Sequence, residues 1–459
     1  MRNAAKLGLS LLATVALVLV AEGVARLAGK APPFFHLQPR IWRIPPDHMA
    51  RKVELYGQDK QGRFRIAALG ESTVLGWPLP QQYAFPSLME GICHELRLAT
   101  RVQVVNLATQ GIHAEDVLTI MTQAEVLAPD LYLVMTGHNE FANRVFWKPP
   151  PRLVYRALAE SHLLRWFLAP KAEVVQTDQF QRGMVDQLMQ LPIDRVGRPM
   201  LDNMPVEAWE RDVYLERYEA ALRGMIRLAR ARGRPIVFAE PLVNLKDYAP
   251  YVPDAASAAA FARGQELLRA GRIADSKRAF EEALDRDGGP LRMPGPFLER
   301  LRAVCAQEQV PLIAARKFVE ARSKDGIPGH ECILDNLHLN VPGSKAVALG
   351  ITQELAARSL LPPSSPPLTA ADWQRVQGQL EPIALPAAEQ KDQEMKSDFY
   401  LGTQYFAAGN LAGAEFRLRR VLDVYDGRDE ATLTLLWKIY EKQGRRDEIA
   451  RIEARLKPR

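Results

Sequence analysis

Arg65-Ile-Ala-Ala-Leu-Gly70-Glu71-Ser72-Thr73-Val74-Leu75-Gly76 is the stretch whose reading decides the fold. Residues 64–69 read as a short apolar strand that Gly70 ends, and Ser72 falls at the turn where a helix should begin. A serine placed there points its hydroxyl out of the top of a sheet. The first turn of the following helix offers free backbone N–H groups to an anion. An exposed oxygen and a donor for developing negative charge are what a nucleophile attacking a carbonyl needs. The same pattern also describes a serine that merely caps an ordinary helix. The choice between them turns on whether a base, an acid and further donors lie downstream.

Outward from this stretch the strand, turn and helix unit recurs. Val102-Gln-Val-Val-Asn-Leu-Ala108 reads as a second strand leading into Thr109-Gln110-Gly111, with helical periodicity over 114–127. A third strand, 130–136, ends in Gly137-His138-Asn139-Glu140; a fourth covers 235–240 and a fifth 310–315. Amphipathic helices are expected over 205–232, 297–309 and 342–358. The repetition predicts an α/β domain over residues 62–360, a parallel sheet with helices on both faces.

Two insertions interrupt it. Residues 141–205 contain a segment, 152–168, that mixes aromatic and basic residues on an amphipathic helix. A lid, a membrane-surface helix and a helix packed on the sheet edge all fit it. Residues 255–290 are alanine-rich, with Gly264, Leu267, Ser276, Phe280 and Ala283 at the spacing of a tetratricopeptide helix pair. The frame returns as Gly402, Tyr405, Ala414, Leu418 and Val421, and 430–456 read as a looser pair. Helical repeats are therefore expected over 397–459, after a proline-rich linker, 361–396. Each such pair buries its face only against a neighbour, so the copy at 255–290 must lean on the α/β core or on the C-terminal copies.

With 459 residues, 47% of them apolar, the chain can build a large core and more than one domain. The formal charge of +6 is spread along the chain with no basic run and no aromatic interleaving, which argues against nucleic acid as a partner. Cys93, Cys305 and Cys332 show no metal-ligand spacing; a Cys305–Cys332 bridge and buried free thiols both remain open. Met1-Arg-Asn-Ala-Ala-Lys6 is a basic head before an apolar run over 7–25, close to the about 20 residues of a membrane span. Residues 1–30 are read as an uncleaved anchor in a bacterial inner membrane, with the rest facing the periplasm. A cleaved signal segment, leaving a secreted protein, is the alternative. Residues 31–61, with Pro32, Pro33, Pro45 and Pro46, read as a stalk.

The downstream groups are present. Asp335 and His338 lie three apart, so the carboxylate can hold one imidazole nitrogen and leave the other free to take a proton. His138 and His113 stand at strand ends as substitutes for the base, without an acid at comparable spacing. Gly111 and Asn139 both follow strands, so a parallel sheet brings them to the same edge as Ser72. There a glycine N–H, an asparagine amide and the N–H of Ser72 itself make three donors for an oxyanion.

This order resembles the SGNH (GDSL-type) hydrolase superfamily. Gly70-Glu71-Ser72 matches its first block, Gly111 its second, Gly137-His138-Asn139-Glu140 its third and Asp335 to His338 its fifth. Glu71 and Glu140 stand where that family has aspartates. The resemblance implies a flavodoxin-like α/β/α sandwich with Ser72 as nucleophile, His338 as base and Asp335 as orienting acid. It implies Ser72, Gly111 and Asn139 as oxyanion donors, with no metal and no cofactor. The expected reaction is hydrolysis of an acyl ester through an acyl-enzyme. Membrane attachment and an open site suggest O-acetyl groups on envelope polysaccharide or peptidoglycan. Acetyl transfer to a sugar hydroxyl would use the same triad. A lipase or thioesterase with 141–205 as lid is a further reading, as is a scaffold whose repeats bind a protein partner beside an idle hydrolase core.

Overall fold

The computed structural model describes residues 2–27, 44, 47–141, 161, 163, 185–198, 205–364, 366–424 and 429–456, with side chains described from residue 14 onward. Five strands, β1 (Phe64–Gly70), β2 (Val102–Asn106), β3 (Leu131–Met135), β4 (Ile236–Ala239) and β5 (Leu312–Ile313), form one sheet. All pairings are parallel, in the order β2-β1-β3-β4-β5. This is the flavodoxin-like order, and its direction reverses between β1 and β3, the crevice where open α/β sheets place their ligands.

Both faces of the sheet are dry. Ala67, Leu69, Val105, Tyr132, Val134 and Phe238 point into one apolar cluster, and Ile66, Ala68, Val104, Leu133 and Val237 into the other. That alternation is the two-residue period of a strand, and burial on both sides explains why the strands read as continuous apolar runs. The helices Ala114–Gln123, Ala208–Ala231 and Gly295–Gln307 cover the first face. The helices Phe85–Glu95 and Val341–Ala357 cover the second. Arg65, fully buried in β1, ties the opposite edge together by donating to Gln103 Oε1 at 2.8 Å and to the Gly57 carbonyl at 3.0 Å.

Several expectations change. β1 runs one residue past its expected end, through Gly70, and the other four strands are two to four residues shorter than the apolar runs, because the flanking residues leave the ladder for the adjoining loops. The stalk expected over 31–61 contains the helix His48–Tyr56, and His48 Nε2 meets the Leu107 carbonyl at 3.0 Å. The linker expected over 361–396 is half helix: Ala370–Leu380 buries Val376 and Leu380 in the second core cluster, and the next helix starts at Ala387. All three cysteines are free and buried, so the Cys305–Cys332 bridge does not form.

The hairpin of Ala255–Arg269 and Ile273–Asp285 packs Phe280 and Leu284 into the first core cluster, so its apolar face leans on the α/β core. The helices Ala387–Ala407, Leu411–Val424, Glu430–Gln443 and Arg446–Leu456 enclose a cluster of their own, into which Leu188 and Val196 insert. The helix expected over 152–168 lies outside the described residues apart from 161 and 163. At the N-terminus the backbone is helical from Arg2 to Leu27. Among the described residues, no helix is long and apolar enough to cross a membrane, and the side chains of residues 1–13 lie outside them.

Candidate active site

Ser72 opens the short helix Ser72–Leu75 directly after β1. Gly70 is required just before it: a Cβ there would land on the Met135 carbonyl oxygen of β3. That close approach seats Ser72 over the β1/β3 crevice. The helix is only four residues long, so the anion-binding N-terminus expected from the sequence reduces to the local N–H groups of its first turn.

His338 arrives from the other end of the domain on a loop clasped by its own backbone. Ile333 and Leu339 form an antiparallel bridge, and the Leu334 N–H donates to the His338 carbonyl at 2.7 Å. Inside the clasp the two oxygens of Asp335 divide their work. Oδ1 accepts the N–H groups of Leu337 at 3.0 Å and His338 at 2.8 Å, an Asx-type turn that fixes the loop. Oδ2 lies 2.7 Å from His338 Nδ1, and His338 Nε2 lies 2.8 Å from Ser72 Oγ. The carboxylate can only accept, so Nδ1 carries the proton and Nε2 is left as the acceptor of the serine O–H. The side chains form one hydrogen-bonded chain with the burial graded along it: Asp335 is 0% exposed, His338 5% and Ser72 9%, so Ser72 is the member nearest solvent. Burial by itself would raise the Asp335 carboxyl. The adjacent imidazole and the two loop N–H groups outweigh it and hold the group below its ordinary value of 3.8.

The expected oxyanion residues sit on neighbouring loops. Asn139 donates from Nδ2 to the Ile112 carbonyl at 3.1 Å, joining the loop after β3 to the residue beside Gly111. Gly111 has φ +64, a left-handed conformation that suits glycine. The two glutamates that replace aspartates have longer reach and use it as struts. Glu71 accepts the Thr136 hydroxyl at 2.6 Å and the N–H groups of Gly137 at 2.8 Å and His138 at 3.1 Å. Burial pushes its carboxyl up even against those three bonds. Glu140 accepts the Ala114 N–H at 3.1 Å, the first turn of the next helix, and burial followed by the nearby Glu115 raises it well above the ordinary range.

Neither substitute histidine takes the place of the base. His113 is the N-cap of Ala114–Gln123, with Nδ1 3.2 Å from Asp116 Oδ2. His138 accepts the Met293 N–H at Nδ1, 3.2 Å, and burial, then Arg316, lowers its pKa to about 3. It is neutral at every working pH.

Three residues at the site had not been read from the sequence. Asn244, fully buried after β4, donates from Nδ2 to the Asp335 carbonyl at 2.8 Å and from its N–H to the Asn336 carbonyl at 2.9 Å. Its position beyond a strand end was the available signal. Trp77 sets its ring edge-on to His338, centroids 4.5 Å apart. Tyr400, from the C-terminal helices, packs on Trp77 at 5.7 Å. Nothing local marks either aromatic as part of a site. Among the described residues, no cluster of histidine, cysteine and acidic side chains could hold a metal ion.

No family model and no curated protein matches the chain. Among solved structures it is similar to a GDSL-like lipase from Bacteroides thetaiotaomicron, at 10% identity over 69% of this chain and 98% of that one, TM-score 0.35. A psychrotrophic esterase from Pseudoalteromonas gives 9% identity over 65% and 99%, TM-score 0.32. A lipase/acylhydrolase from Enterococcus faecalis gives 13% over 64% and 96%, TM-score 0.27. At identities this low the chemistry has to be read from the residues of this chain, which present an ordered serine, histidine and aspartate relay at the carboxyl edge of a parallel sheet.

Proposed function

We propose that this chain is a serine ester hydrolase of the SGNH type. The observation that carries the reading is the relay Ser72 Oγ, His338 Nε2, His338 Nδ1, Asp335 Oδ2, continuous at 2.8 Å and 2.7 Å. As Oγ attacks the ester carbonyl, Nε2 takes the serine proton, and Asp335 stabilises the imidazolium without itself becoming protonated. The imidazolium then protonates the leaving alkoxide. Water, deprotonated by the same nitrogen, releases the acid from the acyl-serine. The backbone of Ser72 and Gly111 and the amide of Asn139 are the donors assigned to the tetrahedral oxyanion.

The finer assignment is an O-acetyl ester on carbohydrate, with the enzyme held at a bacterial inner membrane and its catalytic domain in the periplasm. Support for attachment comes from the N-terminal helix, where Val15, Leu17, Val18, Leu19, Val20, Val24 and Leu27 are 50–91% exposed and would be covered by lipid. The helical pairs at 255–285 and 387–456 are assigned as tetratricopeptide-like units. Support comes from the shared close approach of Gly264 to Phe280 and of Gly402 to Leu418.

The test is turnover of p-nitrophenyl acetate and labelling by a fluorophosphonate probe, each beside Ser72→Ala. Both signals should be present in the wild type and vanish in the variant. A folded wild-type protein that neither turns over nor labels would overturn the hydrolase reading.

A further inference from the structure

A cavity of about 850 Å³ opens between the catalytic domain and the C-terminal helices, within the usual range for a ligand site. It adjoins the relay: Leu334 and Asn340, in its wall, flank the Asp335–His338 turn, and Leu79 follows two residues after Trp77. The opposite wall comes from the helices Ala255–Arg269, Ala387–Ala407 and Leu411–Val424.

The charges in this wall are already engaged. Lys246 contacts Asp325 at 2.9 Å and Glu331 at 2.5 Å. Lys345 donates to the carbonyls of Glu381 and Ile383, both at 2.9 Å. Arg417 and Arg420 share Asp398 at 2.9 Å and 2.7 Å. The cations of the wall, Lys246, Lys345, Arg417 and Arg420, are matched in number by its carboxylates, Asp247, Glu381, Glu394 and Asp398, which leaves little net charge to draw an ionic ligand. Between these charges the wall presents neutral polar groups. Gln393 and Ser397, 5% and 2% exposed, keep an Oε1 and an Oγ with no hydrogen-bond partner among the described residues. A buried polar atom left unpaired costs the free protein stability, and a ligand hydroxyl can remove that cost once the terminal torsions turn. Beside them lie the carboxamides of Gln265 and Gln390, and Phe416, with the guanidinium groups of Arg417 and Arg420 5.6 Å and 6.0 Å from its ring centre, is still 59% exposed. Carboxamides and a hydroxyl next to an exposed aromatic face match a sugar ring, whose hydroxyls pair with the amides while its C–H face covers the aromatic.

We propose that this cleft binds a stretch of neutral oligosaccharide. Naming that strand as the alcohol half of the ester rests on the hydrolase reading; the binding itself does not.

The experiment is calorimetric titration of the full chain with chitohexaose, cellohexaose, mannohexaose and maltohexaose, with hexagalacturonate as the charged probe. At least one neutral sugar should bind, and Phe416→Ala and Gln393→Leu should each weaken it at least tenfold. Gln393→Leu should melt no lower than wild type, since it removes an unpaired acceptor, whereas a purely structural glutamine would lower the melting temperature without changing affinity. Ser72→Ala should bind as wild type. An inert esterase that still binds the sugar would then refute the hydrolase reading and leave the cleft assignment standing. The proposal is overturned by no neutral sugar binding at ten millimolar, by preference for hexagalacturonate, or by undiminished affinity in both variants.

Discussion

Asp335 holds two structures at once, the turn that delivers His338 and the bond that sets its tautomer. Asp335→Asn keeps a side-chain oxygen for one task and puts an amide against the other, so the imidazole can be left in the wrong tautomer while the loop survives. The expected outcome is a loss in kcat of about a thousandfold to ten-thousandfold, the scale known for such changes in serine triads, with KM for a small ester nearly unchanged. Two other histidines govern behaviour in acid. Burial lowers His48, and then the neighbouring Lys52 adds to it, taking the group from 6.5 to about 4; burial followed by Arg316 takes His138 to about 3. For both, the neutral form belongs to the folded state and the unfolded chain takes up its proton near 6.5. Their stabilisation is full above that pH and is lost as pH falls towards 4 and 3, amounting at pH 4.5 to about 2–3 kcal/mol each. Melting temperature should therefore fall between pH 7.5 and 4.5. The double variant His48→Gln/His138→Asn, which supplies an amide donor in place of His48 Nε2–H and an acceptor in place of His138 Nδ1, should fall less; an equal fall would remove these two groups as the cause.

At the scale of the element, the two helical pairs make the same use of glycine, and the helix Ala370–Leu380 makes another. A Cβ at Gly264 would come within 2.6 Å of the Phe280 ring, and one at Gly402 within 2.8 Å of Leu418, whereas Gly378 faces open space. Alanine gains about 1 kcal/mol of helix propensity over glycine, and forced overpacking costs about 1–3 kcal/mol. Overpacking should win at the first two sites and propensity at the third. Gly264→Ala and Gly402→Ala are expected to lower the melting temperature by a few degrees, and Gly378→Ala to raise it. The elements also show what the sequence could carry. Strands buried on both faces are conspicuous as apolar runs, and the blocks of Ser72, Gly111 and Asn139 each follow one, so the α/β core and the order of these blocks were readable, whereas Asp335 and His338 were marked only by their own spacing. The helix Ala370–Leu380 was readable too, through the Thr369 and Asp372 capping box and the four-residue spacing of Val376 and Leu380, but prolines around it directed attention to a linker. Which helix covers which face, and which aromatic meets His338, are decided by contacts between distant residues and leave no local pattern. Trp77 and Tyr400 belong to that class.

For the whole molecule, the C-terminal helices are part of the site's architecture: Tyr400 backs Trp77, and Trp77 backs the His338 ring. Tyr400→Ala should lower kcat for p-nitrophenyl acetate roughly tenfold by loosening the histidine, an effect of the size that small misplacements produce. Tyr400→Phe, which keeps the ring, should retain most of the activity; equal losses in the two variants would point to the hydroxyl instead. The contact between Ser72 and His338 also has a temporal side, because it joins residues 266 positions apart. A ribosome adding about 5–20 residues per second needs on the order of 10–50 s to cover that interval. Throughout it the growing polypeptide has its nucleophile and lacks its base. Fragments released by premature termination before residue 338 are therefore inert towards the esters of the compartment in which they are made, and hydrolytic competence waits until His338 has been added.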